Sequence, residues 1–406
     1  MRLGVNRSQL LCVEGCCGPV ICGRQLGEDL CAAYQQQKEP VGVDDVVIVG
    51  AGPAGLAAAA ALRARGIDST ILERAEHVGE QWRTRYDRLH LHTIRWLSNL
   101  PGYRIPRDFG RWVARDQFVQ YLEQYTAHYG LEPRFGVEAT EIDRDDGHWK
   151  VRTSAATINA RIVVIASGYS RMPYLPRWPG TFDGPMLHSA EYRNPGPYRG
   201  LDMLIIGAGN SGTEIAVDLT EGGARRVRIA VRTPPNIFRR DTKGFPTQLV
   251  GIAFQHLPPR LLDPLVLGLR RATIPDLTAF GLPRPSEPFS QFRRTATLPI
   301  LDVGFIDAVR SGAIEVVPAV TALEGRAVVL ADGSRVHPDA IVAATGYHPG
   351  LEPLVGHVTV IGDHGIPRPQ PHLYFIGIGI TIAGHLHQVA KDARQTAASV
   401  ARELRQ

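Results

Sequence analysis

Two glycine-rich turns constrain this chain more than any other feature, because each stands between a short apolar run and a stretch that favours a helix. The first reads GAGPAG at residues 50–55 after the run VVIV, and the second reads GAGNSG at residues 207–212 after MLII. In such a unit the first glycine permits a tight turn, the second lets the backbone approach a diphosphate, and the third allows close helix–strand packing. The pattern predicts an α/β protein with two Rossmann-like dinucleotide-binding domains.

The sequence after the first turn predicts a dinucleotide whose ribose hydroxyls are free. Residues 69–73 have the pattern of a second strand and end in Glu73, whose carboxylate can accept hydrogen bonds from those hydroxyls. The amides and the dipole at the start of the helix would face the diphosphate. The predicted cofactor contacts of this half are Gly50, Gly52, Pro53, Ala54, Gly55, Glu73 and Arg74.

The second turn predicts a different cofactor, because the strand after its helix, residues 227–231, is followed by Arg232 and not by an acid. A guanidinium can bind a 2′-phosphate through two hydrogen bonds, whereas a carboxylate would repel it. This half should therefore prefer NADP over NAD, although a solvated arginine at a strand end is the alternative interpretation. The predicted contacts are Gly207, Gly209, Asn210, Ser211, Gly212, Arg232 and Thr233.

Two such units on one chain suggest a flavoprotein that takes electrons from a nicotinamide. All five cysteines lie within residues 12–31, so the body of the chain, which we expect to begin near Val43, has none. Disulfide reductases need a redox-active cysteine pair beside the flavin, so the sequence excludes that chemistry. We expect residues 1–42 to be a poorly ordered extension, since the spacing of its cysteines matches no common zinc site.

Charge and hydropathy limit the partners and the compartment. The net charge of +5 is spread over 406 residues without an arginine-rich stripe, so no nucleic-acid partner is expected. The sequence contains no run of about 18 apolar residues, the length needed to cross a membrane as a helix. Together with the cysteine-free body, this predicts a soluble protein of the cytoplasm. His385 and His387 stand two residues apart on an expected loop, and without a further ligand pattern they predict no metal site.

Several ordered motifs give the chain a family resemblance. Residues 182–192, FDGPMLHSAEY, resemble the FxGxxxHxxx(Y/F/W) fingerprint of class B flavin-dependent monooxygenases, whose flavin is FAD and whose reductant is NADPH. Residues 344–347, ATGY, and residues 79–82, GEQW, resemble two further segments of that family. The resemblance implies that His188 orients the NADP domain. It adds Gln81, Trp82, Thr345 and Gly346 to the cofactor contacts.

A second set of motifs is similar to the YUCCA branch of the family. Residues 86–92, YDRLHLH, resemble its YDRLxLH run, and LDVG at 301–304 with RSGAI at 310–314 resembles a further stretch. Animal flavin monooxygenases usually have an Asn near the flavin at the position we align with His92. The resemblance implies that His92 is a catalytic group near the reactive edge of the flavin; a purely packed histidine is the alternative.

The resemblance also implies a reaction. NADPH would reduce FAD, and O₂ would form a C4a-(hydro)peroxyflavin that oxygenates a small organic substrate, with the protein supplying orientation and exclusion of water. The expected outcome is N- or S-oxygenation, or oxidative decarboxylation of a 2-oxo acid such as indole-3-pyruvate. The alternatives are a Baeyer–Villiger monooxygenase and an uncoupled NADPH oxidase or flavin sensor.

The motifs divide the chain into segments. We expect the FAD domain to be discontinuous, with residues 43–169 and 344–406, and the NADP domain, residues 170–343, to be inserted between them. Residues 241–282 have no counterpart in a minimal Rossmann fold. We expect this segment to cover the substrate entrance; a homodimer contact is the competing explanation. The apolar spacing of residues 389–404 predicts a packed terminal helix.

Overall fold

The computed structural model describes residues 43–406 except 146, 243, 255–257, 286–289, 291–296, 363–365 and 380. The predicted extension at residues 1–42, with its cysteines, lies outside the described residues. Within the described part of the chain, no helix is both long and apolar enough to cross a membrane.

The described residues form the β-strands β1 to β21 in chain order. They are β1 (Asp44–Val49), β2 (Thr70–Leu72), β3 (Ala139–Asp145), β4 (His148–Thr153), β5 (Thr157–Ile165), β6 (Met172–Pro173), β7 (Gly180–Phe182), β8 (Met186–His188), β9 (Asp202–Ile206), β10 (Arg226–Val231), β11 (Ile237–Arg239), β12 (Asp241–Thr242), β13 (Phe245–Pro246), β14 (Ile300–Asp302), β15 (Ile314–Pro318), β16 (Val320–Gly325), β17 (Ala327–Leu330), β18 (Arg335–Val336), β19 (Ala340–Ala343), β20 (Tyr347–His348) and β21 (Leu373–Phe375).

The helices alternate with these strands. The α-helices are α1 (Pro53–Arg63), α2 (Glu80–Arg83), α3 (Arg115–His128), α4 (Asn210–Glu221), α5 (Thr247–Phe254), α6 (Pro259–Thr273), α7 (Phe305–Arg310), α8 (Glu352–Val355) and α9 (His385–Glu403). Short 3₁₀ helices occur at Arg95–Leu97, Arg107–Phe109, Gly196–Tyr198 and Thr278–Phe280.

The first sheet has the strand order β2–β1–β5–β4–β3, and β21 pairs with the C-terminal part of β5. β1 runs parallel to β2 and to β5, which is the arrangement expected of a strand, turn, helix and strand unit. The alanines of α1 are buried, and this smooth surface packs in one core with the buried face of α9, which includes Val389, Ala393, Ala397 and Val400. The predicted terminal helix is therefore confirmed.

The second sheet has the order β15–β10–β9–β19–β8, and all of its neighbouring strands are parallel. Its strands come from residues 186–343, whereas those of the first sheet come from residues 44–165 and 373–375. The predicted α/β class with two Rossmann-like units is confirmed. The domain limits at residues 169 and 343 remain our proposal, supported by which sheet each strand joins.

The chain passes between the two sheets twice, and the two crossings pair with each other. β6 and β20 form a short antiparallel ladder in which Met172 faces His348 and Pro173 faces Tyr347. The two crossings therefore lie side by side. A separate four-stranded sheet, β18–β17–β16–β7, packs on the second sheet through a shared apolar cluster.

Candidate functional site

The first glycine of each turn adopts a backbone conformation that other residues avoid. The φ angles are +108° at Gly50 and +107° at Gly207. A Cβ atom at Gly50 would lie 2.8 Å from the carbonyl oxygen of Ala166, and one at Gly207 would lie 2.5 Å from that of Ala344. Both positions thus require glycine through conformation and through space.

The other two glycines of each turn divide the work between ligand and packing. A Cβ at Gly52 or at Gly209 would meet nothing within 4 Å. A Cβ at Gly55 would lie 1.8 Å from the Gly50 oxygen, and one at Gly212 would lie 2.0 Å from the Gly207 oxygen. The open side of each middle glycine suits a diphosphate at the helix N-terminus, whereas the third glycine seats the helix on the turn.

One continuous cavity of about 1680 Å³ reaches both turns. It brings together most of the predicted site residues. These are Gly50, Gly52, Pro53, Ala54, Glu73, Arg74, Gln81, Trp82, His92, Gly207, Gly209, Asn210, Ser211, Arg232, Thr233, Thr345 and Gly346. Gly55 and Gly212 do not line the cavity; they lie behind the turns.

The Glu73 carboxylate is held at the cavity wall by backbone amides. Its Oε2 accepts a hydrogen bond from the N–H of Ala51 at 2.7 Å, and its Oε1 accepts one from the N–H of Ala75 at 3.0 Å. The next residue, Arg74, lies 3.6 Å from the carboxylate of Glu138. The acid is thus fixed beside the first turn, where a ribose would follow the diphosphate.

Arg232 and Thr233 follow β10 directly and line the cavity on the side of the second turn. The side chain of Asn210 has a different place from the one a cofactor contact would suggest. Its Nδ2 donates to the carbonyl of Pro299 at 3.0 Å, and its Oδ1 accepts from the N–H of Leu301 at 2.9 Å. The Asn210 carboxamide therefore ties the turn to Pro299 and to Leu301 of β14.

Two residues implied by the GEQW and ATGY segments use their side chains to join parts of the protein. Gln81 donates a hydrogen bond to the carbonyl of Ser170, and Thr345 donates one to the carbonyl of Tyr174. Trp82 packs edge-on against Phe118 with 4.6 Å between ring centroids. These three side chains line the cavity, and the contacts that the structure shows for them are with other parts of the protein that form its wall.

His188 has the geometry of an orienting linker residue. Its Nδ1 accepts a hydrogen bond from the N–H of Ala190 at 3.1 Å, so its Nε2 carries the proton and donates to the carbonyl of Gly346 at 3.0 Å. Burial lowers its pKa, which keeps the ring neutral. The fingerprint histidine thereby fastens the end of β8, in the second sheet, to the chain's return crossing at Gly346.

His92 lies at the cavity and is bonded to a buried acid that the sequence did not single out. Its Nε2 is 2.5 Å from Oε1 of Glu214, and the hydroxyl of Tyr86 donates to Oε2 of Glu214 at 2.9 Å. Glu214 belongs to α4, in the second half of the molecule. No sequence signal marks it, because one acid on an amphipathic helix has the same pattern as a solvated side chain.

Further polar residues of the cavity were also missed. The hydroxyls of Ser167 and Ser189 are buried without a hydrogen-bond partner, and both residues line the cavity. Such orphaned groups suit a polar ligand between the two halves. The buried Gln248 accepts from the N–H of Ile94 at 3.0 Å and donates to the carbonyl of Ala383 at 2.8 Å. It thereby anchors α5 to the first half.

His385 and His387 are not on a loop, and that expectation was wrong. Both belong to α9, whose first residue is His385. Burial lowers the pKa of His385 to about 4, so the ring is neutral near pH 7. Its Nδ1 is buried without a partner, and its ring packs edge-on against Tyr169.

One cluster with metal-ligand chemistry occurs elsewhere among the described residues. Glu141, Asp143 and His357 bring one ligand atom each within 4.8 Å of the others. Arg152 pairs with both carboxylates, and the group is open to solvent. The arginine already balances these acids, so we assign no metal to them.

The fold and the cavity define a class of protein: an oxidoreductase with two dinucleotide-binding turns that both border one cavity. A family model described as "Pyridine nucleotide-disulphide oxidoreductase" matches residues 47–243. A double mutant of the flavin monooxygenase from Stenotrophomonas maltophilia superimposes with a TM-score of 0.69 at 25% identity, covering 89% of this chain and 98% of that one. Cyclohexanone monooxygenase from Rhodococcus sp. Phi1, bound to NADP⁺, shares the fold with a TM-score of 0.65 at 19% identity, covering 89% and 85%.

A sequence relative narrows the class. "Indole-3-pyruvate monooxygenase YUCCA1" of Oryza sativa subsp. japonica is 38% identical over 320 residues, which cover 77% of this chain and 79% of that protein. The chain belongs to the flavin-dependent monooxygenases, in the branch that contains the YUCCA enzymes, and it acts on a small organic substrate. The family resemblance and the enzyme class are therefore confirmed. The enzyme is a flavoprotein that uses FAD, and the open middle glycines and the unpartnered serines fit dinucleotide ligands.

Proposed function

We propose that this enzyme oxidatively decarboxylates an aromatic 2-oxo acid, with indole-3-pyruvate as the first candidate. The observation that carries the proposal is the 38% identity to a protein named for that substrate. In the balanced reaction R–CO–COOH, O₂, NADPH and H⁺ give R–COOH, CO₂, H₂O and NADP⁺. One oxygen atom of O₂ enters the new carboxyl group and the other leaves as water.

The apolar part of the cavity wall supports an aromatic substrate. α6 presents Leu262, Val266 and Leu269 to the cavity, and Phe238 and Leu298 complete an apolar surface. An indole ring would leave water on binding there, at about 25 cal/mol per Å² of buried apolar area. This supports our proposal that residues 241–282 cover the substrate entrance.

We assign the cofactors to the turns as part of the same proposal. FAD would lie with its diphosphate against Gly52 and its adenosine ribose at Glu73, and NADPH would lie against Gly209 with its 2′-phosphate at Arg232. When bound, this pair supplies hydride transfer and activation of O₂. Ser167 and Ser189 would donate hydrogen bonds to the ligands, and His92 would hold a polar atom of the reacting complex.

Product analysis tests the reaction. The purified protein is loaded with FAD and mixed with NADPH, ¹⁸O₂ and indole-3-pyruvate, and we expect indole-3-acetate with one labelled oxygen. Parallel reactions contain an amine, a sulfide or a cyclic ketone. An ester from the ketone would indicate Baeyer–Villiger chemistry, and hydrogen peroxide in every reaction would indicate an uncoupled oxidase. Either result would replace the proposal.

Two further proposals concern location and assembly. The cysteine-free body supports a cytoplasmic protein, since its fold needs no disulfide. In the competing explanation of residues 241–282, a homodimer would use exposed apolar residues of α6, among them Leu261 and Leu265. Sedimentation of the purified enzyme decides the second point.

A further inference from the structure

Glu214 is a buried acid outside the cavity, so contact with a cofactor does not explain it. It lies in the first half of α4 and is 4% exposed. The residues that line the cavity include Ser211, three positions earlier, but not Glu214. An ionised carboxylate in such a place is costly unless partners satisfy both of its oxygens.

Both oxygens of Glu214 are satisfied from one short segment of the other half. Oε1 receives Nε2 of His92 and Oε2 receives the hydroxyl of Tyr86, which is 2% exposed. Both partners belong to residues 86–92. The acid therefore connects the helix that begins at the second glycine turn to the histidine that lines the cavity.

We propose that Glu214 is a positioning residue that holds His92 with its proton on Nε2 and leaves Nδ1 as the ring nitrogen available to the cavity. The role assigned to His92 rests on the proposed function; the tautomer itself does not. A carboxylate can only accept, so a neutral His92 bonded to it through Nε2 must carry its proton there. In this arrangement Nδ1 of His92 is an acceptor, able to receive a proton from a bound ligand.

The electrostatics of the site agree with an ionised Glu214. Burial opposes the charge, but the positive charge that His92 carries when it is protonated, together with the hydrogen bonds from His92 and Tyr86, outweighs burial and lowers the pKa of Glu214. Arg240 adds a favourable charge from the segment after β11. Burial and the neighbouring carboxylate raise the pKa of Tyr86 well above its usual value, so Tyr86 remains a donor.

A purely structural link would not need a buried charge at this place. The same segment and the same helix are already joined at the surface, where Arg88 pairs with Glu221 and lies 3.8 Å from Asp218. Tyr192 also donates to Asp218 at 2.8 Å. The additional feature of Glu214 is that it bonds to a side chain of the cavity.

The test measures the tautomer of His92 in the FAD-loaded enzyme by NMR of ¹⁵N-labelled histidine at about pH 9, where a free imidazole is neutral. The His92 signals are identified by their loss in His92→Asn. We expect a protonated Nε2 in the parent enzyme and in Glu221→Gln, the matched control on the same helix. A carboxamide offers one acceptor oxygen in place of two, so in Glu214→Gln either Tyr86 or His92 loses its bond, and the Nε2–H form of His92 should decrease.

A rescue separates positioning from general loss of structure. Adding Tyr86→Phe to Glu214→Gln removes the competitor for the single oxygen, and the Nε2–H form of His92 should return. A protonated Nδ1 in the parent, or an unchanged His92 signal in a folded Glu214→Leu variant, which offers no acceptor at all, would overturn the proposal. If Glu214→Gln does not fold, Tyr86→Phe alone decides: we expect it to keep the Nε2–H form, and a switch to Nδ1–H overturns the proposal. Absence of oxygenated product from the parent would instead refute the proposed function and leave the tautomer result standing.

Discussion

At the scale of single residues, several side chains of the site are already held in place by hydrogen bonds before any ligand arrives. Glu73 accepts from two backbone amides, and His188 bonds through both ring nitrogens. Groups held in this way lose little conformational entropy on binding, so they favour affinity and alignment. His92 differs: Glu214 bonds to one ring nitrogen, and we propose that the other is available to a bound ligand.

We predict that His92→Ala uncouples the enzyme. The flavin should still bind and accept hydride from NADPH, but product formation should fall roughly 10²- to 10⁴-fold, the range for a lost acid–base group, while hydrogen peroxide rises. The measurement is the ratio of peroxide to NADPH consumed, with His337→Ala, an exposed histidine outside the cavity, as the control. An unchanged ratio in His92→Ala would make His92 a packing residue.

We predict that Arg232→Gln weakens the preference for NADPH over NADH. Hydrogen bonds to a charged group contribute about 1.5–3 kcal/mol, so the ratio of kcat/KM values should fall roughly 10- to 150-fold, almost entirely through KM for NADPH. The matched control is Arg226→Gln, which changes an exposed arginine at the start of β10, the strand that Arg232 follows. Equal KM values for NADPH in both variants would favour the solvated-arginine interpretation.

At the scale of secondary-structure elements, most of the architecture could be predicted, because glycine turns and the alternation of apolar runs with helix-forming stretches are visible in short segments of the sequence. The strand expected at residues 227–231 is Arg226–Val231, and the one expected at 69–73 is Thr70–Leu72. Histidines near residue 385 gave no such signal, since Gly384 and the polar residues after it have the composition of a loop. Glu214 could not be found because its function depends on a partner more than a hundred positions away in the chain.

The second and third glycines of the first turn, Gly52 and Gly55, should respond differently to substitution by alanine. Gly52→Ala should fold with an unchanged melting temperature as the apoprotein, because nothing lies within 4 Å of its Cβ position, yet it should bind FAD more weakly. Gly55→Ala should lower the melting temperature, since its Cβ would lie 1.8 Å from the Gly50 oxygen. Calorimetry and flavin fluorescence measure the two effects. A loss of apoprotein stability in Gly52→Ala would contradict this division between ligand contact and packing.

At the scale of the whole molecule, the cavity takes its lining from both Rossmann-like halves. Three kinds of tie hold this arrangement: the β6–β20 ladder, the bond from His188 to Gly346, and the contacts of residues 86–92 with α4. The glycine turns predicted that two nucleotide sites exist. They did not predict how the sites are joined, because interdomain contacts are set by side chains whose spacing follows no local period.

Substitutions on two faces of α6 distinguish the two explanations of residues 241–282, a cover over the substrate entrance and a homodimer contact. Val266 lines the cavity, whereas Leu265 is 50% exposed on the next position of the same helix. Val266→Trp should fill the apolar wall and raise KM for the substrate at least about tenfold, because even one misfitting methylene changes specificity by 1–3 kcal/mol. FAD content and the rate of flavin reduction by NADPH should not change.

Substitutions of Leu265 are the controls. If residues 241–282 cover the substrate entrance, Leu265→Trp should leave KM unchanged and Leu265→Glu should leave the sedimentation coefficient unchanged. If instead Leu265→Glu converts a dimer to a monomer while Val266→Trp leaves KM unaltered, the segment is a subunit contact and the substrate enters elsewhere.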